Sequence, residues 1–153
     1  MVRFILLALL VVEMRAATAM VESRAESKLT LPAKGEILLI DFRTDSVRDW
    51  KISGATLQLF IVSGDAPKTM ELSLISTSWK EPEKGLFAKE RSCHCAVTVL
   101  EQGWIRVTLP TAFVEALAAG KAYGLAIAQG TVKINGRAPV FRQPFILAEG
   151  EPR

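Results

Sequence analysis

The chain predicts an all-β fold: an antiparallel β-sandwich of jelly-roll type with one short helix. Seven to nine short apolar runs alternate with period two and are separated by turn residues at intervals of about ten. After the amino-terminal segment the period becomes helical at one place, Pro110 to Ala119. With 153 residues, the chain is long enough for one domain with a sizeable core but too short for two ordinary ones.

Met1, Val2 and Arg3 precede an apolar run from Phe4 to Val12 and then Ala17-Thr18-Ala19. A positive start, a short apolar core and a small-x-small site predict a signal peptide over residues 1–19, hence export to the extracellular space or the cell envelope, the periplasm included. Phe4 to Val12 is far shorter than the roughly 20 residues that cross a bilayer, so no stable membrane span is expected after cleavage. Glu13 and Arg15 leave a retained membrane-surface helix as the alternative.

Residues 20–34 read as a flexible leader, with Lys28 to Leu31 as an edge strand ended by Pro32. The sandwich is expected over 35–148. Glu36 to Phe42 places Ile37 and Leu39 on one face and Leu38, Ile40 and Phe42 on the other, the pattern of a central strand buried on both sides. Ala55 to Val62 and Thr69 to Ser76 read as a hairpin across Gly64 to Pro67. On its strands Leu57, Leu59 and Ile61 oppose Thr56, Gln58, Phe60 and Val62, and Met70, Leu72 and Leu74 oppose Glu71 and Ser73. Lys80 to Ser92 is a long polar connection of the kind that often binds.

Ala96 to Leu100 and Trp104 to Leu109 form a second hairpin across Glu101-Gln102-Gly103, with Ile105, Val107 and Leu109 inward and Trp104, Arg106 and Thr108 outward. Phe113, Val114 and Leu117 lie at helical spacing, with Pro110 near the first turn and Gly120 as the C-cap. Tyr123 to Ala128 resumes strand alternation. Asn135-Gly136 predicts a third hairpin joining Thr131–Ile134 to Val140–Leu147, and residues 149–153 read as a loose tail.

The net charge is +3, from 19 Lys and Arg against 16 Asp and Glu. These charges are interspersed, and no basic run is interleaved with aromatics, so nucleic-acid binding is not expected. The two cysteines flank the single histidine in Cys93-His94-Cys95. Three readings stay open for them: reduced thiols, a strained or intermolecular disulfide, or metal ligation. A C-x-C loop strains disulfide geometry, and a tetrahedral metal site needs a second ligand pair. No other metal ligands and no cofactor are expected.

The order and spacing of LLIDF, WKISGATLQLFIV, SLISTSWKE and GWIRVTLPTAFVEALAAGKAYGLAI resemble the DNRLRE domain, the disaggregatase-related repeat of secreted proteins. Ile52, Ala55, Leu57 and Leu59 match its V-x-x-A-x-L-x-L strand, Trp79 and Glu81 its W-x-E element, and Gly124 to Ile127 its G-L-A-L strand. The likeness spans roughly Glu36 to Leu147, although Asp41 and Phe42 stand in the reverse of the family order. It implies a carbohydrate-binding-module-like jelly roll and, for some members, polysaccharide binding. It also implies a structural role for Trp79, with Glu81 serving nearby amides.

Asp41, set among apolar residues, needs hydrogen-bond donors and is expected to cap the following loop, the alternative being a carboxylate that holds a ligand or metal. Trp50, Trp79, Trp104 and Tyr123 are the rings able to stack on a sugar, with core filling as the alternative and the expected role of Trp79. Trp104 with Arg106 and Thr108 offers an aromatic, a cation and a hydroxyl on one face, the expected ligand-binding set, and Lys89 and Arg91 could add charge for an acidic glycan. No nucleophile has a placed base and no nucleotide fingerprint occurs, so a non-catalytic module is expected. Its partner would be a polysaccharide, or else another component of the cell envelope in an assembly role.

Overall fold

Strand β2, Gly35–Phe42, carries four consecutive buried residues, Ile37 to Ile40. A strand apolar on both faces must be covered on both, and the remaining elements arrange themselves accordingly. The computed structural model describes residues 17–79 and 85–153. Besides β2 these form β1 (Ala17–Leu31), β3 (Trp50–Ser63), β4 (Thr69–Leu74), β5 (Ser92–Val99), β6 (Trp104–Thr108), α1 (Thr111–Ala118), β7 (Leu125–Ala128), β8 (Lys133–Ile134) and β9 (Phe145–Pro152). No helix among the described residues is long and apolar enough to cross a membrane.

The strands run antiparallel in the order β6-β5-β4-β7-β2-β1-β9-β3, and β3 pairs back onto β6. The sheet is therefore a closed eight-stranded barrel rather than the two separate sheets expected, with β8 added beside β3. Closure leaves no long edge among these strands. Two strands turn the corners. β1 pairs with β9 over Ala17 to Glu22 and with β2 from Ser23 onward, the change falling at a register shift between Ser23 and Ala25. Such a bulge bends a strand and sharpens its twist. β5 similarly leaves β4 after Ala96 and joins β6 at Val97.

Inside lies the main core, including Leu38, Ile40, Leu57, Leu59, Leu72, Ile105, Val107, Leu125, Ile127 and Ile146, with Leu74 packed against it. Ile37, Leu39, Ile75 and Ala126 form a second cluster, against which Trp79, Leu86 and Phe87 pack. The backbone N–H of Phe87 donates to Ser73 Oγ at 2.9 Å, pinning this cover to β4. The helix buries Phe113, Val114 and Leu117 against the main core, and Gly120, at φ 73°, ends it as expected.

Four local expectations are corrected. β3 and β4 do not form a hairpin: β3 lies between β9 and β6, and β4 between β5 and β7. Alternation fixes which face of a strand is apolar but not its neighbour. The turn glycine, Gly64, instead packs on the backbone of Thr131 and Val132. The Asn135-Gly136 hairpin is also absent, because β8 pairs with β3. A type I′ turn needs φ above zero at both central residues, and neither residue has it. The Asn135 amide donates to the carbonyls of Gly136 and Arg142, closing that loop on itself. Residues 20–31 are not a loose leader but part of β1, with Val21 buried. The carboxy-terminal residues extend β9 to Pro152, and the Arg153 N–H reaches the Asp49 carbonyl at 2.8 Å. The signal segment falls outside the described residues except for Ala17 to Ala19, which begin β1.

Candidate binding face

Antiparallel pairing aligns outward side chains across strands in rows. On β6 the alternation places Ile105 and Val107 inward and leaves Arg106 and Thr108 exposed. Trp104 stands opposite Phe60 of β3, Arg106 opposite Gln58, and Thr108 opposite Thr56. On the other side of β3, Phe145 of β9 stands opposite Gln58. On the other side of β6, Thr98 of β5 stands opposite Arg106. The result is a patch graded along the strands from aromatic rings, through an amide and a guanidinium, to two hydroxyls.

Trp104 is half-buried rather than fully exposed, because it is held between two rings. Its centroid lies 5.6 Å from Phe60 and 5.7 Å from Phe145, both edge-to-face, at 80° and 64°. Such contacts add about 0.5–1.5 kcal/mol each beyond area burial and fix the indole before any ligand arrives. Arg142, from the 3-10 turn Val140–Arg142, stacks over Phe60 at 4.3 Å. The Gln58 amide is buried and donates to Thr56 Oγ1 at 2.8 Å, so the middle of the patch is also preordered.

Among the described residues neither Arg106 nor Arg142 meets a carboxylate in an ion pair. These two guanidiniums are thus unneutralised within the β3–β6 part of the face, while the carboxylate of Glu22 on β1 stands beyond Phe145. Lys89 and Arg91 do not contribute. They lie in the 3-10 turn preceding β5, with Arg91 donating to Ser76 Oγ, roughly 20 Å along that strand from Thr98. Phe60, Gln58 and Thr56 share the outward phase legible in the sequence; Phe145 and Arg142 are joined to them only by strand order and loop placement.

The residues expected to be structural lie elsewhere. Asp41 Oδ1 accepts the Phe42 N–H at 2.8 Å, and Oδ2 accepts Arg24 Nε at 2.6 Å. Trp79 donates its indole N–H to the Tyr123 carbonyl at 2.9 Å. Glu81 lies outside the described residues.

Cys93 and Cys95 both turn toward the core of the barrel as free thiols, and His94 faces outward, with Nε2 3.5 Å from Glu71 Oε2. Among the described residues no three His, Cys, Asp or Glu side chains converge as a metal site. Burial pushes the Cys95 thiol up from 9.0 to about 12, with the adjacent Cys93 adding to the shift. The native state holds this proton more tightly than the unfolded chain, so the associated stability is present below pH 9 and declines as pH rises from 9 toward 12. Iodoacetamide at pH 8 should modify Cys95 only in denaturant, as read by mass spectrometry; modification of the native protein at the free-thiol rate would contradict this burial.

No protein-family model matches the chain, and no curated protein sequence matches it significantly.

Proposed function

We propose that this chain is a secreted, non-catalytic binding module that takes an acidic polysaccharide on the outward face of β3 and β6. The observation that carries the reading is the row of Trp104, Arg106 and Thr108 set against Phe60, Gln58 and Thr56. A sugar ring presents an apolar face and a polar rim, which suits aromatic groups next to a guanidinium donor and hydroxyls, with the buried Gln58 amide holding the Thr56 hydroxyl in place. Two guanidiniums without carboxylate partners favour uronate-bearing chains over neutral ones, since carboxylates take charge-assisted bonds from arginine. Preordering of Trp104 between two phenylalanines lowers the entropy lost on binding.

Strands β1-β9-β3-β6 on one side and β2-β7-β4-β5 on the other, joined through β1–β2 and β5–β6, support a flattened jelly roll. That is the fold implied by the DNRLRE resemblance. The proposed place of action is outside the cell or within its envelope, and no cofactor enters the proposal.

Full-length protein should be retained on polygalacturonate or alginate beads. Trp104→Ala should weaken retention about tenfold, equivalent to 1.4 kcal/mol, with an unchanged circular dichroism spectrum. Retention equal to wild type would remove the assignment to this face. A second reading, an assembly module of the cell envelope, draws on Val140 and Phe141, which are 71% and 75% exposed beside the aromatic patch. It is favoured if no polymer is retained and the protein self-associates in sedimentation velocity.

A further inference from the structure

Away from this face, a cleft of about 710 Å³ opens where the bulge of β1, the end of β2, the 3-10 turn Asp45–Val47 and the last turn of α1 converge. Its walls carry three aromatic residues, the buried Phe42 together with Trp79 and Tyr123, and two ion pairs. Arg24 Nε lies 2.6 Å from Asp41 Oδ2, and Arg48 Nη2 lies 2.9 Å from Asp45 Oδ1. We infer that this cleft is a second binding site, for a short neutral saccharide. The inference shares with the proposed function only the class of ligand.

Four properties lead to that ligand. The volume lies within the roughly 300–1,000 Å³ of small-molecule sites, too small for a folded partner. The Trp79 N–H is already committed to the Tyr123 carbonyl, so what Trp79 has left to offer is its apolar ring surface, while Tyr123 is 49% exposed. Each guanidinium is matched by a carboxylate in contact, and Asp49 also lines the cleft, so phosphate or uronate would meet repulsion instead of free cations. Finally, an arginine–aspartate pair presents unused N–H donors beside unused carboxylate lone pairs. Vicinal hydroxyls, each a donor and an acceptor, satisfy both at once.

The bulge also matters here. β1 changes partner between Ser23 and Ala25, and Arg24, within that shift, is more than half exposed at the rim and hydrogen-bonded to the end of β2. The corner that closes the barrel thereby places one of the two ion pairs.

The test is isothermal titration of the full chain with four neutral hexasaccharides: β-1,4-glucan, β-1,4-mannan, α-1,4-glucan and β-1,4-linked N-acetylglucosamine. At least one should bind saturably, with affinity changing less than twofold between 0.1 and 1 M NaCl, since no net ligand charge is screened. Tyr123→Ala and Asp45→Asn should each weaken it at least fivefold with the thermal midpoint preserved, because both side chains are substantially exposed. Trp104→Ala should leave it unchanged. Absence of saturable binding to all four, unchanged affinity in both cleft variants, or loss on Trp104→Ala would each overturn the inference. None of these outcomes bears on retention by acidic polymers, which tests the other face.

Discussion

Replacing Gly124 by alanine is expected to destabilise the protein by about 3 kcal/mol or more, because backbone strain and a backbone clash coincide there. Gly124 has φ 144°, where side chains are strained, and a Cβ there would stand 2.4 Å from the Ile40 carbonyl oxygen and 3.1 Å from its carbon. Both obstacles are backbone and belong to the most buried strand, so neither can swing aside. The close approach has a purpose: the Gly124 carbonyl accepts the Ile75 N–H at 2.9 Å while the next residue, Leu125, starts β7 against Ile40. Gly120 supplies the comparison. It has φ 73° but open space around a built Cβ, so Gly120→Ala meets backbone strain alone and should cost about 1 kcal/mol. Urea unfolding of both variants checks the pair; equal losses would show that the approach of β7 to β2 is looser than described.

Leu59→Ala is expected to cost about 2–5 kcal/mol, the range for a buried leucine whose cavity cannot collapse. Leu59 is 0% exposed, points into the barrel from β3 and stands opposite Ile105 of β6. This is the pairing that closes the barrel, so the void would sit at the seam, lined by strands held by their ladders. A domain of this size has only about 5–15 kcal/mol to lose. A loss under about 0.5 kcal/mol, typical of surface sites, would mean that β3 is out of register by one residue.

Much of this arrangement was legible in the residues. Period-two alternation assigns Leu57, Leu59, Leu72, Leu74, Ile105, Val107, Leu125 and Ile127 to one core, because one-sided burial forces that pattern; all are buried except Leu74, which packs against the core only partly buried. The double burial of β2 and the helix with its terminal glycine were equally plain. Strand neighbours were not. A run such as Thr56 to Val62 carries the same pattern whether its partner follows in the chain or comes from Phe145–Pro152 at its far end. Turn chemistry misled at Asn135-Gly136, where the asparagine amide closes a wider loop instead of a tight turn. The leader and tail looked polar because one side of β1 and of β9 faces solvent; that these two strands pair with each other depends on residues more than a hundred positions apart.

The same distinction applies to the binding face. The outward phase of Trp104, Arg106 and Thr108 is local and could be read directly, and so could that of Phe60, Gln58 and Thr56. Their union into one patch requires the β3–β6 register. Phe145 and Arg142 required more, since β9 and its preceding loop reach the patch only through barrel closure. Trp79 and Tyr123 are legible in the sequence as rings able to stack on a sugar and Asp41 as a carboxylate needing donors, but their convergence on one cleft is not, because its aromatic and charged residues come from five separated segments.

The claim that the outward face of β3 and β6 recognises an acidic glycan is tested most directly by amide chemical-shift mapping during titration with an oligogalacturonate. Saturable shifts are expected to concentrate at Phe60, Gln58, Trp104, Arg106 and Phe145, together with the Trp104 indole N–H, and to weaken at high salt as arginine–carboxylate contacts are screened. Saturable shifts centred on another surface, or no shifts at millimolar ligand, would contradict it.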